Sequence, residues 1–310
     1  MEHFINLIDI SKKNLRKILI DAKKRKSKRK NFSSLMPDKD VPLRGKFLIQ
    51  MFEKSSLRTR LSFYLAMRQL GGGALNLRKD ELHLGQGGES IHDTAKIISS
   101  YGDAFMLRTD SDQKLEKFKS YLDIPIINGL SPSSHPTQIL SDIFTIEEIK
   151  KKNISKLQLC WIGDCNNVLN SLVEAAIKFT IKLNISSPKK YMTNKKTLSL
   201  ISNKSSKVRL FSDPKQAIKF ADVVFADKFI SLNDKVNKQR KLQEFKKYQV
   251  NKNLTKFAKK NFIFLHCLPA NRGQEVTSEI IDSKNSVVWQ QATNRSHVQK
   301  SILLYCLDKL

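Results

Sequence analysis

The apolar positions of this chain fall into short continuous runs that alternate with stretches of helical spacing. Phe47–Phe52 is an apolar run that reads as a buried strand. Leu61, Phe63, Tyr64, Ala66, Met67 and Leu70 then recur with helical period, and Gly71–Gly73 stops them. Upstream, Ser11 is a plausible N-cap for a helix over 11–28 with Leu15, Ile18, Leu19 and Ala22 on its apolar stripe. Downstream the pattern predicts strands at 74–77, 104–107 and 124–128, and helices over 90–101 and 111–122. Ser90 and Asp93 are set up as a capping box. A long helix begins at His135-Pro136 and runs to about Lys151, with Pro136 suited to the first helical position. Residues 80–89 are polar and glycine-rich, the composition of a loop.

A second series follows Asn153. Strands are expected at 157–162, 221–225, 262–265 and 286–289. Helices are expected after Gly163-Asp164-Cys165-Asn166-Asn167, from Asp213-Pro214, across the basic stretch 233–261, and over 294–310. Residues 184–207 are the least legible, with a weak helix over 194–203, and Trp161 and Trp289 are expected in the core. Strand alternating with helix, with polar residues gathered at strand ends, is the signature of an α/β fold with parallel sheets and a site along their C-terminal edges. Two domains are expected, 1–150 and 151–291, with the boundary near 148–155.

Bulk properties narrow the function classes. The 310 residues suffice for two domains with real cores, and 40% hydrophobic content is normal for a globular protein. No apolar run reaches the length of a membrane span, and Met1–Ile20 carries no signal-peptide block, so a cytoplasmic protein with no membrane partner is expected. Cys160, Cys165, Cys267 and Cys306 show neither CxxC nor metal spacing; reduced thiols and no bound metal are expected. The net charge of +27 permits nucleic-acid binding, and Lys23–Lys30 is the densest basic patch. That excess is mostly lysine spread over the whole chain, and no nucleic-acid module is recognisable, so nucleic acid is not the expected partner.

The chemistry concentrates at the start of the helix that follows 47–52. Ser56, Arg58, Thr59 and Arg60 lie within one helical turn. Unpaired N–H groups and the helix dipole favour an anion there, and arginine can grip phosphate oxygens bidentately.

Further polar strand ends occur in a fixed order: Arg108, His135-Pro136-Thr137-Gln138, Gly163-Asp164-x-Asn166-Asn167, Asp227 with Ser231, His266-Cys267-Leu268-Pro269, and Asn294-Arg295-x-His297-x-Gln299-Lys300. Together with Ser56-x-Arg58-Thr59-Arg60 this set resembles the aspartate/ornithine carbamoyltransferase family, over nearly the whole chain, and is similar to its ornithine branch. The resemblance implies two doubly wound parallel-sheet domains joined by a long helix, with a C-terminal helix (292–310) packing back on the first domain. It implies transfer of a carbamoyl group from carbamoyl phosphate to the side-chain amine of L-ornithine, no cofactor, and a homotrimer or multiple of trimers.

Residue by residue, the resemblance assigns Ser56, Leu57, Arg58 and Thr59 to the phosphate and Arg108 and His135 to the carbonyl oxygen. Gln138, Cys267 and Leu268 go to the carbamoyl NH₂ group, and Arg295 to the same ligand. Asn167 falls to the ornithine carboxylate, Asp227 and Ser231 to its α-amino group, and Leu232 joins them in binding ornithine. Cys267 lies where the attacking amine arrives, and Arg108, His135, Cys267 and Asp227 form the implied catalytic set. His83 belongs to a loop lent by a neighbouring subunit. Four positions depart from the family pattern: Leu57 replaces a threonine, His83 a glutamine, and Leu232-Asn233 a Met-Gly pair. Residue 60 is expected either at the ligand or bracing the turn from behind, and Asp164 is expected as a turn former.

Rival readings keep the scaffold and change the partner: aspartate, putrescine or an acylated ornithine as acceptor, or a non-catalytic basic protein that binds anions. An anionic acceptor would want cations where Asp227 and Cys267 stand.

Overall fold

In the computed structural model, residues 1–78, 88–192, 195–203, 207–230 and 237–310 are described. The first strand is β1 (Phe47–Phe52), preceded by α1 (Lys12–Ser27), whose N-cap Ser11 Oγ accepts from Asn14 N–H. The chain continues as α2 (Leu57–Gln69), β2 (Gly73–Arg78), α3 (Ile91–Tyr101), β3 (Ala104–Arg108), α4 (Asp112–Tyr121), β4 (Ile126–Leu130) and α5 (Pro136–Lys150). The sheet order is β2-β1-β3-β4 and every pair is parallel. Ile49, Met51, Phe105 and Leu107 pack from one sheet face against Ile98 of α3 and Leu115 and Phe118 of α4. Burying each such side chain contributes about 1.5–3 kcal/mol before chain entropy is charged against it.

After α5 come β5 (Gln158–Ile162), α6 (Asn167–Phe179), β6 (Lys182–Ser186), α7 (Lys195–Asn203), β7 (Val208–Phe211), α8 (Pro214–Ile218) and β8 (Val223–Ala226). They are followed by α9 (Lys238–Phe245), α10 (Lys252–Thr255), β9 (Ile263–His266), α11 (Ser278–Ile281) and α12 (Val288–Cys306). The second sheet has the order β7-β6-β5-β8-β9, again all parallel.

The chain divides into two compact units, Met1–Phe144 with Thr293–Leu310, and Thr145–Ala292. The C-terminal helix belongs to the first unit from Thr293 onward. Lys300 Nζ donates to Asp38 at 3.0 Å, Lys26 Nζ to Asn294 Oδ1 at 2.6 Å, and Ser301 Oγ to Asp21 at 2.7 Å. Among the described residues no helix is long and apolar enough to cross a membrane.

Each sheet has a topological switch point. In the first, the chain leaves β1 toward β2 on one side and returns to β3 on the other; in the second, β6 and β8 flank β5 in the same way. Loops after the strands diverge there and leave a crevice at the carboxyl edge, where α/β proteins bind ligands. The register brings Phe52 level with Arg108, and Ala226 level with both Ile162 and His266.

Several sequence expectations are corrected. Residues 286–289 form no strand: Ser286 makes an isolated bridge to Phe264, and α12 starts at Val288. Trp289 is 64% exposed rather than core, because the helical phase that buries Val288 turns its neighbour outward. Strand β6 runs into the stretch 184–207 that composition left illegible and β7 follows directly after it, and neither strand is among those expected. The described part of the basic stretch 233–261 is not continuously helical: it holds the short helices α9 and α10 with a 3-10 turn at Lys246–Tyr248 between them. On α2, Phe63, Ala66, Met67 and Leu70 are buried, whereas Leu61 and Tyr64 point outward with Leu57.

Candidate active site

At the first switch point three guanidinium side chains gather around one imidazole. Arg58 follows β1 in the first turn of α2, Arg108 ends β3, His135 immediately precedes α5, and Arg295 projects from α12. The charges of Arg295, Arg108 and Arg58 all act on His135, which is 4% exposed. Burial and these three guanidiniums hold its pKa well below the usual histidine range. The ring is therefore a neutral N–H donor at pH 7 set among fixed cations, an arrangement suited to an anionic ligand with a polarisable oxygen.

Local structure fixes each member. Ser56 caps α2, its Oγ accepting from Thr59 N–H, and Thr59 Oγ1 accepts from Arg295 Nη2 at 2.8 Å, tying α12 to the helix start. Arg60 lies over the Phe52 ring, 5.3 Å from its centroid, and so braces the turn. The β3–β4 register shifts between Leu107 and Arg108, leaving Gly129 of β4 as an extra, unpaired residue opposite the strand end that carries the guanidinium. Gly129 permits this close approach, because a Cβ there would strike the Met106 sulfur.

Gln138 is buried, and its Nε2 donates to Asp142 Oδ1 at 2.8 Å. That bond fixes the amide orientation and leaves Oε1 with no hydrogen-bond partner among the described residues, an acceptor available to an incoming N–H. Leu57, by contrast, is 69% exposed, and only its backbone stands at the helix N-terminus.

The second switch point carries a different set. Asp227 follows β8 and Cys267 follows β9, so the parallel register sets them side by side, with Sγ donating to Asp227 Oδ1 at 3.2 Å. Asn166 Nδ2 donates to Asp227 Oδ2 at 2.6 Å, while Asn166 Oδ1 caps α6 through the N–H groups of Val168 and Leu169. Asn167 opens α6 beside this cap. Leu268 adopts a left-handed φ of 58° before a cis peptide to Pro269, and its N–H donates to His266 Nδ1 at 2.9 Å.

Among the described residues, one group with metal-ligand atoms close together is Asp227, His266 and Cys267, within 4.8 Å of one another. His266 Nδ1 already accepts from Leu268, and Nε2 faces Glu275 Oε1 at 3.1 Å. Both ring nitrogens are thus committed to shaping the loop, and the set fits a metal poorly.

Of the residues singled out from sequence, Ser56, Leu57, Arg58, Thr59, Arg108, His135, Gln138 and Arg295 lie in the first unit. Asn167, Asp227, Cys267 and Leu268 lie in the second. His83, Ser231 and Leu232 lie outside the described residues.

Two supporting groups escaped sequence reading. Asp142 orients Gln138 from the next helical turn, a spacing the sequence does display. Asp164 is more than a turn former: buried Lys241 of α9 donates to its Oδ2 at 3.0 Å, and its carbonyl accepts from Trp161 Nε1 at 3.0 Å. No local signal marks Lys241, which sits in a lysine-rich stretch.

Wider similarity agrees with this geometry. Residues 2–148 match the profile described as aspartate/ornithine carbamoyltransferase, carbamoyl-P binding domain, and residues 155–306 match the Asp/Orn binding domain of the same family. An ornithine carbamoyltransferase from Archaeoglobus fulgidus is 41% identical over 309 residues, covering 100% of this chain and 98% of the relative. One from Bacillus subtilis is 44% identical over 312 residues, covering 98% and 93%. The solved ornithine carbamoyltransferase from Pyrococcus furiosus superposes with a TM-score of 0.92 at 38% identity, covering 100% of this chain and 98% of that one. With both domains matched, the identity sustained from end to end and the two switch-point clusters built on the same scaffold, the chain belongs to the aspartate/ornithine carbamoyltransferase family.

Proposed function

We propose that this protein transfers the carbamoyl group of carbamoyl phosphate to the side-chain amine of L-ornithine, giving L-citrulline and phosphate. The observation that carries this reading is the convergence of Arg58, Arg108 and Arg295 on a neutral, buried His135 beside a helix N-terminus. Here the phosphate of the donor sits on the α2 N–H groups, Ser56, Thr59 and Arg58. Arg108 and His135 donate to the carbonyl oxygen, where negative charge grows as the amine attacks. Gln138 Oε1 accepts from the carbamoyl NH₂, and Arg295 adds charge to the same ligand. Leu57 meets this ligand through its backbone N–H alone.

On the acceptor side, Asp227 attracts the α-ammonium and Asn167 binds the α-carboxylate. Ser231, Leu232 and His83 keep the contacts that the family resemblance implies. The amine nitrogen bonds to the carbonyl carbon, the carbon–oxygen bond to phosphate breaks, and the departing phosphate takes the proton the amine sheds. Cys267 and the Leu268 carbonyl position the reacting groups and form no covalent intermediate. The carboxylate at 227 favours ornithine over aspartate, which would bring a second anion against it.

Leu57, Leu61 and Tyr64 leave an apolar stripe on α2 that is 69%, 56% and 39% exposed. Such a stripe supports assembly with further copies, read here as a homotrimer with three times the 35.6 kDa chain mass. The free thiols suit a reducing cytoplasm, and citrulline formation points to arginine biosynthesis. Incubating the purified protein with carbamoyl phosphate and a panel of amines, with ureido product measured, tests the reading. Turnover should be highest on ornithine, and preference for another amine would overturn it.

The state of His135 makes a separate expectation. Its folded pKa lies below the unfolded value of about 6.5, so between the two the unfolded chain holds a proton that the folded chain lacks. Stability is therefore fully present above about pH 6.5 and falls by about 1.4 kcal/mol per unit as pH drops. His135→Asn removes that slope. Urea unfolding of both proteins between about pH 5 and about pH 7 should show the wild type steeper; parallel curves would mean His135 protonates normally.

A further inference from the structure

We propose that Glu53 is a positioning residue whose carboxylate sets the spacing between the arm carrying Arg108 and the arm carrying Ser56 and Arg58. The inference deepens the proposed function and rests on it. Glu53 follows the last residue of β1, three positions before Ser56. Its N–H donates to Arg108 O at 3.0 Å, extending the β1–β3 pairing by one residue past the strand. Its side chain is 1% exposed and accepts from Thr109 Oγ1, from Asp110 N–H at 3.2 Å and from Lys114 Nζ.

All three donors belong to the segment that leaves Arg108. Thr109 is itself fixed, its N–H on Leu130 O at 3.0 Å and its Oγ1 accepting from Ser111 N–H at 3.1 Å. Ser111 in turn caps α4 through Lys114 N–H. One carboxylate therefore clamps a whole β3–α4 turn against the end of β1, at the switch point where both ligand-binding arms begin.

Stability alone gives little reason to bury a carboxylate here, because desolvation offsets most of the Coulomb gain of a buried pair. Geometry gives a better one. A phosphate gripped at α2 and a carbonyl oxygen held by Arg108 belong to one small ligand, so an error of an ångström between the arms is felt directly at the reacting carbon.

The test pairs Glu53→Gln, nearly isosteric, with Lys114→Met, which keeps the carboxylate and its neutral donors. Wild-type turnover on ornithine is measured first. In Glu53→Gln, kcat/KM for carbamoyl phosphate should fall by on the order of 10²-fold. The KM for ornithine at saturating carbamoyl phosphate should stay within about twofold, with Lys114→Met intermediate. Calorimetric binding of inorganic phosphate should weaken in the same order. Unchanged phosphate affinity and carbamoyl phosphate kinetics in Glu53→Gln would overturn the proposal, as would a lowered melting temperature with normal constants in the folded fraction. A wild type that binds phosphate yet makes no citrulline would instead overturn the proposed function, and phosphate affinity would still report on Glu53.

Discussion

Arg108→Ala is expected to lower kcat/KM for citrulline formation by on the order of 10³-fold while leaving the chain folded. The loss of one preorganised donor at a developing oxyanion costs on the order of 10²–10³-fold, and a guanidinium adds charge that a neutral donor lacks. The fold should survive because the side chain leaves from the last residue of β3, outside the cluster built on Phe105, Leu107 and Phe118. Arg58→Ala should cost a similar factor, expressed more in KM for carbamoyl phosphate, because the proposed site uses it to hold the phosphate. A second readout comes from the shared electrostatics. Both arginines depress the His135 pKa, so removing either should raise it, a change visible as earlier protonation in an NMR titration. Near-normal turnover in either variant, with the circular dichroism of the wild type, would remove these residues from the site.

The strand-to-helix transition at Phe52–Leu57 is legible in sequence because a buried parallel strand is continuously apolar and a helix start is polar, and the two textures abut there. The loops at Gly163 and His266 read for the same reason. Strands β6 and β7 do not: β7 exposes Arg209 and Leu210 at the sheet edge, and polar Lys182 and Asn184 interrupt β6, so neither shows a continuous apolar run. Ser286–Trp289 fails in the opposite sense. It has strand-like composition, yet only Ser286 pairs, and Val288 already begins α12. Apolar periodicity on α2 was visible, but not which apolar residues face solvent, since Leu61 and Phe63 differ by two positions and occupy opposite sides of the helix.

The site divides along similar lines. Residues that would touch ligand cluster in short motifs at strand ends, where sequence can find them. Those that hold them are scattered, because a buried polar group takes its partner wherever the fold provides one. Glu53 meets Thr109 from 56 positions away, and Lys241 meets Asp164 from 77. Periodicity and spacing carry no trace of either pair: the parallel β1–β3 register brings the first together, and the placement of α9 the second.

Asp227→Asn should raise the KM for ornithine by on the order of 10²-fold while KM for carbamoyl phosphate stays within about twofold. In the wild type the carboxylate takes Asn166 Nδ2 on one oxygen at 2.6 Å and Cys267 Sγ on the other at 3.2 Å. An asparagine fills the same space but can accept through only one atom, so its NH₂ must face either Asn166 or Cys267. It also removes the only formal charge in that trio, and with it the attraction for an α-ammonium. Cys267→Ser keeps a donor toward Asp227 and should cost less than about tenfold, since no covalent step is assigned to the thiol. The comparison that separates acceptor classes uses an N-acylated ornithine. Lacking the α-ammonium, it has nothing to lose when Asp227 is neutralised, so the ratio of ornithine to acylated ornithine in kcat/KM should collapse in Asp227→Asn. An undiminished ratio would mean that Asp227 serves the loop geometry through Asn166 and not the substrate's charge.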